Sequence, residues 1–274
     1  MNTLKDEFTS KIPKKLVNLI PAGYDLIGDI VILEVPSELV KYEKKMAEFI
    51  LKTRPNVKVV LKKAGVHTGI FRRQKLRCIA GDRRKETVYR ENGVMLKLNV
   101  ETVYFSPRLS NERKRIASLV QPGESVLVMF SGCAPYPLVI SKNSKPKEVY
   151  GIEINPAAHK YALENVQLNK ASNVKLFKGD VRKVAPLLKK KFDRIVMPLP
   201  KTADDFLGIT IPLLKKRGVL HFYDFQSESL LKESEQKVID SFSKRKRKCS
   251  VIQTVLCGQH APRVFRICVD VQAN

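Results

Sequence analysis

The chain has 274 residues, 43% of them apolar, enough for one large or two modest domains with buried cores, and no run nears the roughly 20 consecutive apolar residues that cross a membrane. Its 51 Lys and Arg against 27 Asp and Glu leave a formal charge of +24; nucleic acid is the first candidate to balance it, an acidic membrane surface the second, and a generally basic proteome the plain alternative. Five cysteines without a CxxC pair argue against a disulfide framework or a zinc ribbon, so no metal is expected.

Residues 1–15 mix both charge signs and lack the apolar stretch of a secretory signal, so a cytoplasmic protein is expected. Residues 24–36 read as a strand or hairpin turning at Gly28-Asp29. Residues 37–51 set Leu39, Met46 and Ile50 at helical spacing, with Ser37 as a plausible N-cap. Strands are predicted at 57–61, 76–80, 86–91 and 94–100, with turns at Gly81-Asp82 and Asn92-Gly93. Asn-Gly is a strong hairpin signal because both residues tolerate positive φ. Residues 1–105 are thus read as a small α+β domain.

From residue 123 the rhythm changes. A continuous apolar strand is predicted at 125–130, and further strands at 148–154, 173–178, 192–197 and 218–225. Helices are predicted at 156–169, 203–214 and 228–244. Apolar strands alternating with helices call for a parallel sheet covered on both faces. Strands at 251–256 and 264–271 have no helix between them and suggest an antiparallel edge pair. The fold class is α/β: a Rossmann-like domain over 106–274 behind the smaller N-terminal one.

In such sheets ligands bind beyond the carboxyl ends of the strands. The first strand ends in Phe130-Ser131-Gly132-Cys133, small residues that let backbone approach a ligand; alone, an ordinary turn explains them equally well. Neither GxGxxG nor a Walker lysine is present, which counts against dinucleotides and triphosphates. The second strand ends in Glu153-Ile154, and an acid about 20 residues past the first turn can accept both hydroxyls of a ribose. Asp180-Val181 follow the third, where Asp can accept from an adenine amino group or simply cap the next helix. Pro198 ends the fourth, fixing an extended path whose carbonyls can face a ligand. The four ends together fit an adenosine-plus-amino-acid cofactor, S-adenosylmethionine.

At these residues the chain resembles the archaeal and eukaryotic tRNA (guanine-N(1))-methyltransferases acting at tRNA position 37. The likeness runs through the class I methyltransferase branch with MFSGxAPYP and MPLPK motifs. It is carried by residues 24–29, 69–72, 79–81, 104–113, 129–137, 193–201 and 261–263. The resemblance implies Glu112 as general base, Arg72 as a clamp on the target guanine or its developing charge, and Arg108 orienting Glu112 or the RNA. It also places Pro200, Lys201, Tyr136 and Arg263 among the substrate contacts, with the anticodon stem-loop of tRNA as partner to a monomeric enzyme. Many relatives have Asn at the position of Pro198 and Asp at that of Val128. Some members of the branch methylate a wyosine intermediate, and a sister family transfers an aminocarboxypropyl group.

The residue types suit this chemistry without the resemblance. A guanine ring nitrogen becomes nucleophilic only as its proton leaves, so a carboxylate to accept it and a cation to steady the neighbouring oxygen are required. Spacing alone reads Arg108 and Glu112 as a surface pair with Ser110 as cap; the resemblance reverses that. Tyr104 and Tyr136 are candidates to stack on a splayed loop base, whereas Phe105 reads as core. His67, His159 and His221 have no ligand spacing; His260 lies beside the 261–263 loop and is a candidate RNA contact. The basic clusters at 62–63, 72–73, 83–85, 189–191 and 244–248 are read as phosphate-binding. The rival class is a non-catalytic RNA-binding protein on the same fold.

Overall fold

The computed structural model describes residues 3–65 and 68–274; His67 lies outside them. They form two compact units, Met1–Arg90 with Leu96–Pro107, and Glu91–Met95 with Arg108–Asn274.

In the first unit, helix α1 (Leu4–Phe8) starts on a capping box in which Thr3 and Asp6 satisfy each other's amides. Strands β1 (Asp25–Ile27) and β2 (Ile30–Leu33) form the expected hairpin. Its turn needs glycine, since Gly28 has φ 60° and a Cβ there would stand 2.2 Å from Thr87 Oγ1. The single helix expected from Ser37 is instead a 3₁₀ segment, Ser37–Tyr42, followed by α2 (Glu43–Thr53). Ser37 caps nothing; its hydroxyl donates to Glu38. Strand β3 (Val59–Lys63) runs parallel to β2, and β4 (Leu76–Gly81) antiparallel to β3, giving the order β1-β2-β3-β4. Val31, Leu33 and Val60 pack in one core with Leu39, Met46 and Ile50. Strands β5 (Glu86–Glu91) and β6 (Val94–Asn99) form a separate two-stranded sheet. Asn92 and Gly93 both take positive φ, 45° and 77°, as a tight primed turn requires.

That turn, Glu91–Met95, belongs to the second unit because its polar groups are bonded there. Asn92 Nδ2 donates to the Ser110 carbonyl at 2.9 Å, Asn143 Nδ2 donates to the Asn92 carbonyl at 2.8 Å, and Asn169 brackets the backbone of Met95. Glu91 is paired with Arg113, both side chains 2% exposed.

The second unit opens with α3 (Ser110–Leu119). Four parallel-strand steps follow: β7 (Ser125–Met129), α4 (Pro135–Asn143), β8 (Glu148–Glu153), α5 (Pro156–Leu168), β9 (Val174–Lys178), α6 (Val181–Leu187), β10 (Phe192–Met197), α7 (Leu207–Leu213) and β11 (Leu214–Ser227). Helix α8 (Leu231–Ser243) leads to β12 (Cys249–Ala261) and β13 (Val264–Ala273). The sheet order is β12-β13-β11-β10-β7-β8-β9. The last two strands are antiparallel, as expected, but β13 lies inside, between β11 and β12. Successive strands run outward from β7 to β9, and the chain then returns to the other side of β7. The switch point therefore lies between β7 and β10, where a ligand crevice forms beyond the strand ends. Among the described residues no helix is long and apolar enough to cross a membrane.

Candidate functional site

At the end of β7 the backbone turns sharply, with Phe130, Gly132 and Ala134 all at positive φ. Two non-glycine residues in that region mark a constrained turn of the kind found at ligand clamps. Ser131 N donates to the Ile152 carbonyl and Ala134 N to the Ser131 carbonyl, both at 2.9 Å. Asn165 Nδ2 holds the Cys133 carbonyl at 3.0 Å. The Cys133 thiol is fully buried, and burial pushes it up to about 12, so it stays protonated. The Ser131 hydroxyl is buried without a hydrogen-bond partner among the described residues.

Glu153 ends β8 directly across from this turn. Its Oε2 accepts from Gly132 N at 2.7 Å and its Oε1 from Asn155 N at 2.6 Å. Each oxygen keeps a further lone pair for a ligand. Burial raises the carboxyl above its usual range, with the Asn155 and Gly132 amides pulling the other way. Ile154 is half-buried beside it, and Asn155 caps α5. Thus Phe130, Ser131, Gly132, Cys133 and Glu153 come together.

The third strand end follows one of its two readings, and the fourth departs from the extended path expected. Asp180 caps α6 and pairs with Arg182 at 2.7 Å, with Val181 buried beside it, so its capping role is formed. Pro198 does not extend the chain. Leu199 N donates back to the Met197 carbonyl at 2.8 Å, a three-residue turn whose centre suits the fixed φ of proline. The Met197 carbonyl is thereby used within the chain. Pro200 is buried and Lys201 exposed just beyond.

Glu112 lies in the first turn of α3, 6% exposed. Its guanidinium partner is Arg115, which sequence reasoning missed: Arg115 Nε donates to Oε2 at 2.7 Å and Nη2 to Oε1 at 2.8 Å. The Tyr223 hydroxyl, from β11, donates to Oε1. Arg108 sits exposed on the preceding 3₁₀ turn, Pro107–Leu109. Ser110 does not cap the helix; it occupies the first helical position, after Leu109 at the N-cap. Tyr136 is buried on α4 and donates to the Tyr223 hydroxyl at 3.2 Å. Its ring faces Tyr223 and Arg113, so the base stacking expected of it is closed off by burial. Through Tyr136 and Tyr223, Glu112 is joined to the helix that leaves the 130–134 turn.

Arg115 also reaches Asp270 of β13, Nη1 to Oδ2 at 2.6 Å. Asp270 accepts from His221 Nδ1 at 2.5 Å and from Gln253 Nε2 at 2.8 Å. His221 Nε2 lies 2.7 Å from Arg194 Nη1. A guanidinium can only donate, so Nε2 is the acceptor and the ring proton sits on Nδ1. Burial holds the His221 pKa below its usual value, so the ring is neutral. Arg194 is balanced by Glu124 at 2.8 Å. His221, Cys268 and Asp270 bring ligand-type atoms within 4.8 Å, but the guanidiniums of Arg115 and Arg194 already supply the positive charge there.

Arg72 belongs to the first unit. It has φ 51° in a tight loop where its amide donates to the Gly69 carbonyl at 3.0 Å. Its guanidinium lies 4.0 Å over the Tyr104 ring, so a cation occupies a face expected for a base. Phe105 packs edge-on against Tyr89. Arg263 is exposed at the tip of the β12–β13 hairpin, and His260 stacks on Phe225. Several basic clusters are partly structural: Lys62 pairs with Glu43, Lys85 with Glu101, Lys190 with Glu148, and Arg247 binds the Ile211 and Leu214 carbonyls. Arg83, Lys189, Lys191, Lys244, Lys246 and Lys248 are exposed.

Residues 87–252 match the TRM5/TYW2 methyltransferase domain, and residues 4–84 match the TYW2 N-terminal domain. The tRNA (guanine(37)-N(1))-methyltransferase Trm5b of Pyrococcus abyssi is 38% identical over 264 residues, 96% of this chain and 78% of that protein. Its crystal structure superposes with a TM-score of 0.88. The tRNA 4-demethylwyosine(37)-methyltransferase Taw21 of Saccharolobus solfataricus is 34% identical over 91% of this chain and 93% of its own. An aTrm5–tRNALeu complex, 31% identical, gives a TM-score of 0.87 over 100% of this chain and 78% of that one. With matched domains covering both units and these identities over nearly its whole length, the chain belongs to the TRM5/TYW2 methyltransferase family.

Proposed function

We propose that the protein methylates N1 of the guanine at position 37 of tRNA, working as a monomer on the anticodon stem-loop. The observation that carries this reading is the buried Glu112 carboxylate, fixed by Arg115 and Tyr223 and joined through Tyr136 to the turn after β7. The names of the Pyrococcus abyssi Trm5b and the Saccharolobus solfataricus Taw21 support the tRNA substrate and the position, and the exposed basic residues suit a polyanion.

S-adenosylmethionine, when bound, supplies the methyl group as its sulfonium–carbon bond breaks and sulfur keeps the electron pair. The residues fit it: Glu153 keeps acceptor capacity for a ribose, Gly132 admits close backbone approach, and the buried Ser131 hydroxyl has no partner among the described residues. Glu112 takes the proton from the guanine nitrogen, whose N–H electron pair becomes the new bond to carbon. Arg108 orients Glu112 or the RNA, and Lys201 and Arg263 contact the RNA.

Incubation with labelled S-adenosylmethionine and unmodified transcripts carrying guanine or adenine at position 37 tests this. The expected nucleoside is 1-methylguanosine, from the guanine transcript alone. The second reading is methylation of 4-demethylwyosine, favoured by the likeness to Taw21. It predicts transfer only to tRNA already carrying the tricyclic base.

Cofactor binding should depend on pH in a defined sense. Ribose acceptance needs ionised Glu153, and its pKa lies above the usual carboxylate range. Affinity is therefore full above that raised value and falls as pH drops through it, toward about tenfold per pH unit. Calorimetric titration from pH 8 down through the ordinary carboxylate range reads this; a profile flat throughout removes Glu153 from the ribose site.

A further inference from the structure

We propose that Asp270, acting through Arg115, is the positioning residue that keeps Glu112 basic enough to accept the substrate proton. This rests on the reading of Glu112 as the general base.

The difficulty it resolves is electrostatic. Arg115 grips Glu112 with two bonds, at 2.7 and 2.8 Å. A guanidinium held that closely stabilises the charged carboxylate and makes it a poor proton acceptor. Here the same guanidinium is shared. Its Nη1 donates to Asp270 Oδ2 at 2.6 Å and its Nη2 reaches Oδ1 at 3.4 Å, with the Asp270 side chain 2% exposed. One cation between two carboxylates leaves the trio with one excess negative charge.

Among the described residues no other group near the trio removes that excess. Asp270 faces His221, which is neutral with its proton on Nδ1, and the neutral Gln253. Arg194, behind His221, is matched by Glu124. Facing Glu112 are Tyr223 from β11, Tyr136 from α4, Cys257 from β12 and Cys268 from β13. Burial pushes all four upward, so they are uncharged. Arg113, on α3, is matched by Glu91. A proton moving from the guanine nitrogen to Glu112 therefore turns a buried cluster of charge −1 into a neutral one. Without Asp270 the same proton would turn a neutral pair into a buried cation, which the low-polarity surroundings oppose.

The test is the pH profile of single-turnover methyl transfer to a guanine-37 transcript, with thermal unfolding of each variant alongside. Asp270→Asn leaves the Arg115 charge on Glu112 alone. Its acid limb should move down by about one pH unit, and its plateau rate should fall about tenfold. Arg115→Gln removes the cation, and its acid limb should move up. Asp270→Glu should restore the wild-type limb. Shifts of opposite sign from two adjacent residues cannot come from a general loss of packing, which lowers the unfolding temperature without moving the limb. Either variant alone reads the sign should the other not fold. An unmoved limb, or a shift of the opposite sign to that stated, overturns the proposal. Glu112→Gln separates the two readings: if it keeps full rate the general-base assignment itself fails, whereas an inactive Glu112→Gln beside an unshifted Asp270→Asn removes only the role of Asp270.

Discussion

Glu112→Gln is expected to lower the rate of methyl transfer by about a hundredfold to ten-thousandfold, the usual span for loss of a positioned general base. The amide is nearly isosteric and still accepts from Arg115 Nε, but it cannot take a proton at neutral pH. Its NH2 group replaces Oε1, which now accepts from Tyr223 and from Arg115 Nη2. The Tyr223 hydroxyl can rotate to accept instead; Arg115 Nη2 cannot, and turns its donors to Asp270. The fold should therefore survive, while transfer falls with little change in tRNA or cofactor affinity. Single-turnover rates and binding titrations on one preparation check this. Equal losses in affinity and rate would mean that Glu112 holds substrate rather than moving its proton.

The second large effect concerns stability. Arg113→Met should cost about 3–5 kcal/mol, because Glu91 then remains as a buried carboxylate with its cation gone. Arg113 Nε and Nη2 each lie 2.5 Å from one Glu91 oxygen, and both side chains are 2% exposed. The unfolding temperature should drop by about 10 °C. The double change Arg113→Met with Glu91→Leu should recover most of the loss, since replacing a whole buried pair by apolar groups is often neutral. If the single change proves mild, Glu91 has taken up a proton or water, and the pair does not anchor the 91–95 turn.

Local features of the sequence determined much of this protein. The continuous apolar run at 125–130 dictated a strand buried on both faces, since only a covered parallel sheet hides such a segment. Asn92-Gly93 dictated a tight hairpin because its two residues adopt positive φ cheaply. An acid at the end of β8, in register with the small residues after β7, marked Glu153, and strand geometry brought it to the Gly132 amide. These are short-range effects, legible wherever neighbouring residues decide the outcome. The motif resemblance singled out Glu112, but spacing suggested Arg108 as its partner. The tertiary structure supplied Arg115, Tyr223 and Asp270 instead, the last two lying 111 and 158 positions further along the chain. Only the insertion of β13 between β11 and β12 brings Asp270 and His221 into line, Cα partner to Cα partner. Likewise Ser37 and Ser110 looked like caps and are not, because 3₁₀ turns precede α2 and α3. The physical reason is the same throughout: periodicity and turn chemistry are properties of neighbours in the chain, whereas the charge environment of a buried carboxylate is set by whatever the sheet order packs around it.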